Sequence, residues 1–400
     1  MDYPIDLLKD EELATRLNSY FSTAHLETIA RSSRFVERST SRLTGQNFLM
    51  LNVFDKENGK ERSLTSQCDY LEDHFSLKMT KQGLDERYNT YAVKFMRSCY
   101  ERLLSEVLQD YSVEKSLVIP TVFKSVELAD ATSFKIPDFL ETFYKGGGGV
   151  KASIKLQHRY NLLKGESIST KIVSGNENDK LFLPDIDPFI EADCLHIKDL
   201  GYFKLGHLDK IARAGGYFLS RFKALMTCYV KENDQFVQVM LKDLVNQSEH
   251  PVIYLGSYKD KLKVRMIIEP ASAQSTIKRL AKVKKSASTH HTQVQDETLF
   301  LCHYNIYITN IEAADLSIEW IHLLYALRWQ IELLFKIWKS LFEIDEVKKM
   351  SIFRFECYIY GRLIAILLTQ KVENLFKERV WEEDEVELSD YKCLAILKKT

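Results

Sequence analysis

Proline and glycine are scarce in this chain, at 7 and 15 of 400 residues, which excludes fibrous and low-complexity architectures. Paired cysteines are also missing. The seven cysteines are odd in number, widely scattered and free of any CxxC spacing, so neither a disulfide framework nor a thiolate zinc site is indicated. No long apolar run exists: the longest, Leu363 to Leu368, follows Arg362 and is far too short to span a bilayer. The opening MDYPIDLLKDEEL is acidic where a secretion signal is basic. Together these absences predict a soluble protein of the cytoplasm with no membrane partner. Net charge is lacking as well, with 55 basic and 56 acidic residues, so the whole-chain balance selects no partner.

The composition does provide a core. Hydrophobic residues make up 45% and aromatics 12% of the chain, enough for a large interior and more than one domain. Charge is also unevenly placed. Arg31, Arg34, Arg38 and Arg42 form one basic stretch, and Lys278, Arg279, Lys282, Lys284 and Lys285 form another with no acid between them. Glu382, Glu383, Asp384, Glu385 and Glu387 offset them near the C-terminus. A charge run alone is usually a solvated face, but two basic segments raise the expectation of a polyanionic partner.

Residues 1 to about 115 read as helical, and Ser63 and Thr80 are suitable N-caps for SLTSQCDYLEDHF and TKQGLDERYNTYAVKFM. The pair outlines a helix-turn-helix that could set Lys81, Gln82 and Arg87 in a DNA groove, and equally an ordinary α-domain. From 116 to 224 the texture becomes strand-like (VFKSVELAD, KASIKLQHRYNLL, SISTKIVSG, CLHIKD, YFLSRFK), with one helical segment, KLGHLDKIARAG. This predicts a mixed sheet with flanking helices, hence an α/β core. Residues 225–312 continue with β-like pieces and read as a β-rich insertion, 313–375 as the returning helical part of the core, and 376–400 as an acidic tail. The run Gly146 to Gly149 lacks the GK[ST] ending of a phosphate loop and precedes a strand, so it reads as a hairpin connection.

Three carboxylates carry the chemical reading. Alternation in SVELAD sets Asp130 with Val126 and Leu128, and in CLHIKD it sets Asp199 with Leu195 and Ile197. A carboxylate on an apolar register needs a cation or hydrogen bonds, unless it simply turns out at a strand end. In IEWIHLLYALRWQIELLFKIWKSLF, residues Tyr325, Arg328, Glu332, Lys336 and Lys339 share an arc of about 80° at 100° per residue. That stripe alone also fits an exposed salt-bridged face. Two aspartates from strands and a glutamate from a later helix can instead converge to hold two Mg²⁺ or Mn²⁺ ions for in-line displacement at phosphorus.

At these residues a family resemblance becomes specific. Tyr325, Arg328, Glu332 and Lys339 have the spacing Y-x2-R-x3-E-x6-K, which resembles the YREK signature of cut-and-paste insertion-sequence transposases with a DDE triad. Asp130-Ala131-Thr132 and Asp199-Leu200-Gly201-Tyr202 resemble that family's two aspartate motifs, and the likeness runs from about 120 to 345. The resemblance implies a ribonuclease H-like mixed sheet, a β-rich insertion before the last catalytic helix and a helical N-terminal DNA-binding region. It makes Asp130, Asp199 and Glu332 the metal-binding catalytic triad and gives Tyr325, Arg328 and Lys339 contacts to terminal phosphates. Arg221 falls at the place of a further family arginine. Lys336 is recommended only by its place on the helical arc, and the family's base-stacking aromatic falls among Tyr304, Tyr307 and Trp320. The implied activity is cleavage at terminal inverted repeats and joining of 3′-hydroxyls to target DNA by a homodimer on double-stranded DNA. A structure-specific nuclease and a catalytically silent DNA-binding descendant are the alternatives.

Overall fold

The computed structural model describes residues 21–384 apart from 39–40, 54–55, 58–59, 62, 110–122, 164–165, 224–225, 246–250, 257–260 and 341. Helices α1 (Thr23–Ser32) and α2 (Gly45–Val53) are followed by a minimal ribbon, β1 (Lys56–Glu57) and β2 (Lys60–Glu61). Next come α3 (Leu64–Phe75), α4 (Lys81–Asp85) and α5 (Thr90–Gln109). Ser63 and Thr80 cap α3 and α4, accepting hydrogen bonds from the Ser66 and Gly83 amides. Each cap satisfies an amide that the helix cannot, worth about 1 kcal/mol. The second sequence-read helix breaks after Asp85, and Arg87 lies outside it. The Arg87 guanidinium donates to the Phe35 carbonyl at 2.7 Å and stacks over the Phe35 ring. Arg87 therefore ties the turn after α4 to the loop between α1 and α2.

A ten-stranded sheet forms the body of the molecule, in the order β5-β4-β3-β6-β7-β12-β11-β10-β8-β9. Strands β3 (Ser125–Lys135), β6 (Cys194–Lys198) and β7 (Tyr217–Arg221) are parallel. Strands β4 (Ser153–Asn161) and β5 (Glu166–Ser174) extend one side antiparallel. Between β5 and β6 lies the single turn α6 (Leu183–Ile186), and α7 (Leu205–Arg213) crosses from β6 to β7. The other half of the sheet holds β8 (Cys228–Glu232), β9 (Gln235–Val239), α8 (Leu241–Val245), β10 (Val252–Gly256), β11 (Lys261–Pro270), α9 (Ala273–His290), α10 (Asp296–Leu301) and β12 (Tyr304–Thr309).

Residues 225–312 extend the core sheet: β12 pairs antiparallel with β7 through Tyr307↔Arg221 and Thr309↔Leu219. One sequence reading changes here. The second basic run, expected among β-like pieces, lies on the 18-residue helix α9, whose N-cap Ser272 accepts from the Ser275 amide. Its half-buried positions Thr276, Leu280, Val283 and Ala287 recur at helical spacing.

Helices α11 (Ile318–Leu327), α12 (Trp329–Ser340) and α13 (Ile352–Asp384) close the described chain. One face of the sheet, including Val126, Leu128, Leu195, Ile197 and Leu219, shares a continuous core with α11–α13 and the N-terminal helices. Gly361 on α13 is required by this packing, because a Cβ there would stand 2.3 Å from the Asn52 carbonyl oxygen on α2. Arg362 beside it donates to the Val53 carbonyl at 2.6 Å. Helix α13 carries buried Phe376 and Val380, so residues 376–384 belong to it and not to a separate acidic tail; 385–400 lie outside the described residues. Among the described residues no helix is long and apolar enough to cross a membrane.

Candidate active site

Asp130 sits in the interior of β3, which runs five residues beyond it, so it is not a strand-end acid. Its Oδ1 accepts from the Ala131 amide at 2.8 Å and its Oδ2 from Arg328 Nη1 at 3.2 Å. Burial pushes this carboxyl up to about 6; the amide and Arg328 oppose the shift, while the charges of Asp199 and Glu332 add to it. Asp199 is the first residue after β6. Parallel pairing of Ala129 with Lys198 brings it level with Asp130 at the carboxyl edge of the strands. It precedes the 3₁₀ turn Leu200–Tyr202 and spends no side-chain hydrogen bond on capping it.

The turn after Asp199 is fixed from below. Tyr202 is buried and its hydroxyl donates to Gln157 Oε1, while Gln157 and Lys155 both donate to Asp179 Oδ1, at 3.1 and 2.7 Å. A Cβ on Gly201 would stand 3.1 Å from Asp179 Oδ2, so the backbone approaches that carboxylate closely. This accounts for the word Asp-Leu-Gly-Tyr in physical terms: each of its last two residues locks the loop that aims Asp199.

Glu332 lies in the first turn of α12 and accepts from Arg328 Nη2 at 2.6 Å. Arg328 occupies the single residue between α11 and α12, and its guanidinium therefore bridges Asp130 and Glu332. Asp130, Thr132, Asp199, Arg328, Glu332, Phe335, Lys336 and Lys339 line one cleft of about 450 Å³. Lys339 donates to the Ser133 carbonyl at 3.1 Å, which pins α12 across β3. Phe335 was not singled out from sequence; its place on the apolar flank of the stripe was the available signal.

Six of the eight sequence-chosen residues thus share the cleft. Tyr325 and Arg221 do not line it. The Tyr325 ring packs on Tyr307 of β12 at 5.0 Å, and its hydroxyl is buried without a hydrogen-bond partner among the described residues. Burial pushes that phenol well above its usual range. Arg221, at the end of β7 opposite Tyr307, adds positive charge near both tyrosines.

The donors available are carboxylate oxygens on rigid elements, the chemistry that Mg²⁺ or Mn²⁺ prefers. As placed, no three such side chains among the described residues form a compact ligand group, since Arg328 stands between two of them. The donor set fits a divalent ion once Arg328 releases its bridge.

Comparisons with known proteins identify a family. A family model described as "Transposase DDE domain" matches residues 122–368. The chain is 31% identical over 411 residues to the transposase for insertion sequence element IS1151 of Clostridium perfringens, covering 96% of this chain and 85% of that protein. It is likewise 31% identical over 412 residues to the transposase for IS231B of Bacillus thuringiensis subsp. berliner, covering 98% and 85%. Among solved structures, a piggyBac transposase synaptic complex with hairpin DNA matches with a TM-score of 0.49 and 8% identity, over 96% of this chain and 79% of that one. That last likeness is too loose to bear on the site.

Proposed function

The chain belongs to the DDE transposases of bacterial insertion sequences, enzymes that cut and transfer DNA, and from that premise we propose that its cleft cleaves at the terminal inverted repeats of its element and joins the 3′-hydroxyls to target DNA. The observation that carries this reading is the meeting of Asp130, Asp199 and Glu332, from β3, the end of β6 and α12, in one cleft with three cations. Strands β5-β4-β3-β6-β7 are read as a ribonuclease H-like core, with the carboxylates at the carboxyl edge of its parallel strands.

Asp130, Asp199 and Glu332 would hold the divalent ions. When bound, these supply activation of the attacking water or 3′-hydroxyl and stabilisation of the leaving oxygen. The chain's own part is positional. Asp130 is kept on hydrogen-bonded strand backbone and Asp199 on a turn locked by Tyr202. Glu332 approaches from a helix pinned to β3 by Lys339. Arg328, released from its carboxylates, is in place to form a bidentate contact with a phosphate, while Lys336 and Lys339 offer point charges one to two helical turns from Glu332. Synapsis of two ends requires two copies, so a homodimer on DNA is part of the proposal.

Glu332→Gln tests it on DNA bearing the element ends, with Mg²⁺ or Mn²⁺. The substitution keeps the shape and removes the anion, so end binding should persist while cleavage and joining are lost. Cleavage at the wild-type rate by this variant would overturn the triad, and cleavage without joined product in wild type would favour a nuclease.

A further inference from the structure

Helix α9 is the feature the cleft does not explain. No acidic residue occurs between Glu269 and Asp296, although 56 of the 400 residues are Asp or Glu. Within that interval Lys278, Lys282 and Lys285 fall within an arc of about 60° on the helix, at 100° per residue. All three are exposed, with the small residues Ala281, Ser288 and Thr289 around them and Gln274 one turn before the first. Ile277 beside them is 67% exposed, so this outer face is not covered by the described chain. Arg279 points the other way: it donates to the Tyr304 carbonyl at 2.9 Å and to Asn305 Oδ1 at 2.6 Å, and so anchors α9 to the start of β12. The cations therefore divide: Arg279 fixes the helix, Lys278, Lys282 and Lys285 form an outward row, and Lys284, also exposed, lies off that row.

Topology places this face near the chemistry. Arg221 ends β7 and pairs with Tyr307, and the antiparallel partner of Tyr307 on β11 is Ile267. From there β11 runs outward to Pro270, opposite Tyr304, and α9 begins three residues later. The helix consequently leaves the sheet at the same edge as Asp130, Asp199 and Arg221, with Tyr304 about 10 Å beyond Tyr307 at roughly 3.3 Å per residue. From Lys278 to Lys285 the lysine row spans about 10 Å of helix axis, comparable to about three nucleotide steps at 3.4 Å of rise per phosphate on one strand.

We infer that α9 is a sequence-independent grip for double-stranded DNA, in which Lys278, Lys282 and Lys285 neutralise backbone phosphates of the duplex lying over the catalytic edge. This rests on the transposase reading and adds to it a specific surface. Lysines are flexible point charges, and the alanine, serine and threonine beside them offer little to read base edges, so the contact contributes affinity without sequence preference. Gln274, the one side chain of this face with a base-reading amide, lies outside the span of the row.

The test uses the full chain and two duplexes of equal length, one carrying the element's terminal repeat and one unrelated, with affinity measured across a salt series. In the Lys278→Gln/Lys282→Gln/Lys285→Gln variant the slope of log affinity against log salt should fall by about 2 to 3, nearly one per lost phosphate contact, and equally on both duplexes. The corresponding triple arginine variant, which keeps the charges, should retain the wild-type slope. A glutamine variant with the wild-type slope, in a protein that still cleaves ends, overturns the inference and leaves the transposase reading standing. So does a loss confined to the repeat duplex, which would mean base reading. A wild-type protein that binds neither duplex overturns both.

Discussion

Arg328 and Asp130, 198 residues apart in sequence, form a 3.2 Å ion pair, and the same guanidinium reaches Glu332 at 2.6 Å. One cation thus stands between two carboxylates that the proposed chemistry would bring onto metal. The bridge links β3 to α12, and under that proposal it would compete with metal for the carboxylates.

Arg328→Met should expose that balance. With the cation gone, Asp130 and Glu332 repel across the cleft, and metal-free stability should fall by about 1–3 kcal/mol. Magnesium should then recover more of the loss than it adds to wild type, because no guanidinium competes for the carboxylates. Thermal unfolding with and without Mg²⁺ checks this; an equal Mg²⁺ shift in both proteins would contradict it.

Acid should destabilise the fold through His158. Its ring lies buried in β4, T-shaped against Trp338 of α12 at 4.8 Å, with Nδ1 and the Thr170 hydroxyl 2.8 Å apart. Burial pushes it down to about 3, so it is neutral when folded and protonates near 6.5 when unfolded. The stability held by the neutral ring is complete above pH 6.5 and is lost as pH falls toward 3, at about 1.4 kcal/mol per unit. His158→Gln should remove about 2 kcal/mol of the difference between pH 7 and pH 5 in urea unfolding. His196 and His207, also depressed by burial, account for part of what remains.

The crossing of α2 and α13 should tolerate no side chain at Gly361. Gly361→Ala would drive a methyl group into the Asn52 carbonyl, costing about 2–3 kcal/mol although alanine favours helix. The expected outcome is a lowered melting temperature together with faster proteolysis of the N-terminal helices. A melting temperature at or above wild type would show that the helices part without strain.

Much of the cleft was legible because its signals are local. Strand alternation and helical phase grouped these residues, and the family resemblance of their motifs singled out Asp130, Asp199, Arg328, Glu332 and Lys339, with Lys336 chosen by phase alone; all six share the cleft. What failed was non-local. No property of Tyr307 announces that it pairs with Arg221 across a long excursion, so the continuity of the insertion's strands with the core sheet is not visible in the sequence. Tyr325 shares the arc of Glu332, yet its ring is claimed by Tyr307, a partner from another strand. The basic run was assigned to strand-like surroundings although Ser272 and the spacing of Leu280, Val283 and Ala287 mark a capped helix. Nor does the sequence show that Arg87 reaches the Phe35 carbonyl, 52 residues away.

The pairing of β7 with β12 has a mechanical meaning. Between Asp199 and helix α9 the path runs through adjacent strands joined by backbone hydrogen bonds, β6 to β7 to β12 to β11. A hinged insertion would let gripped DNA swing relative to the carboxylates, whereas a continuous sheet behaves as a stiff ruler. Whatever is held on α9 is held at a set distance from the cleft, so the spacing between the gripped phosphates and the cut one becomes a property of the fold.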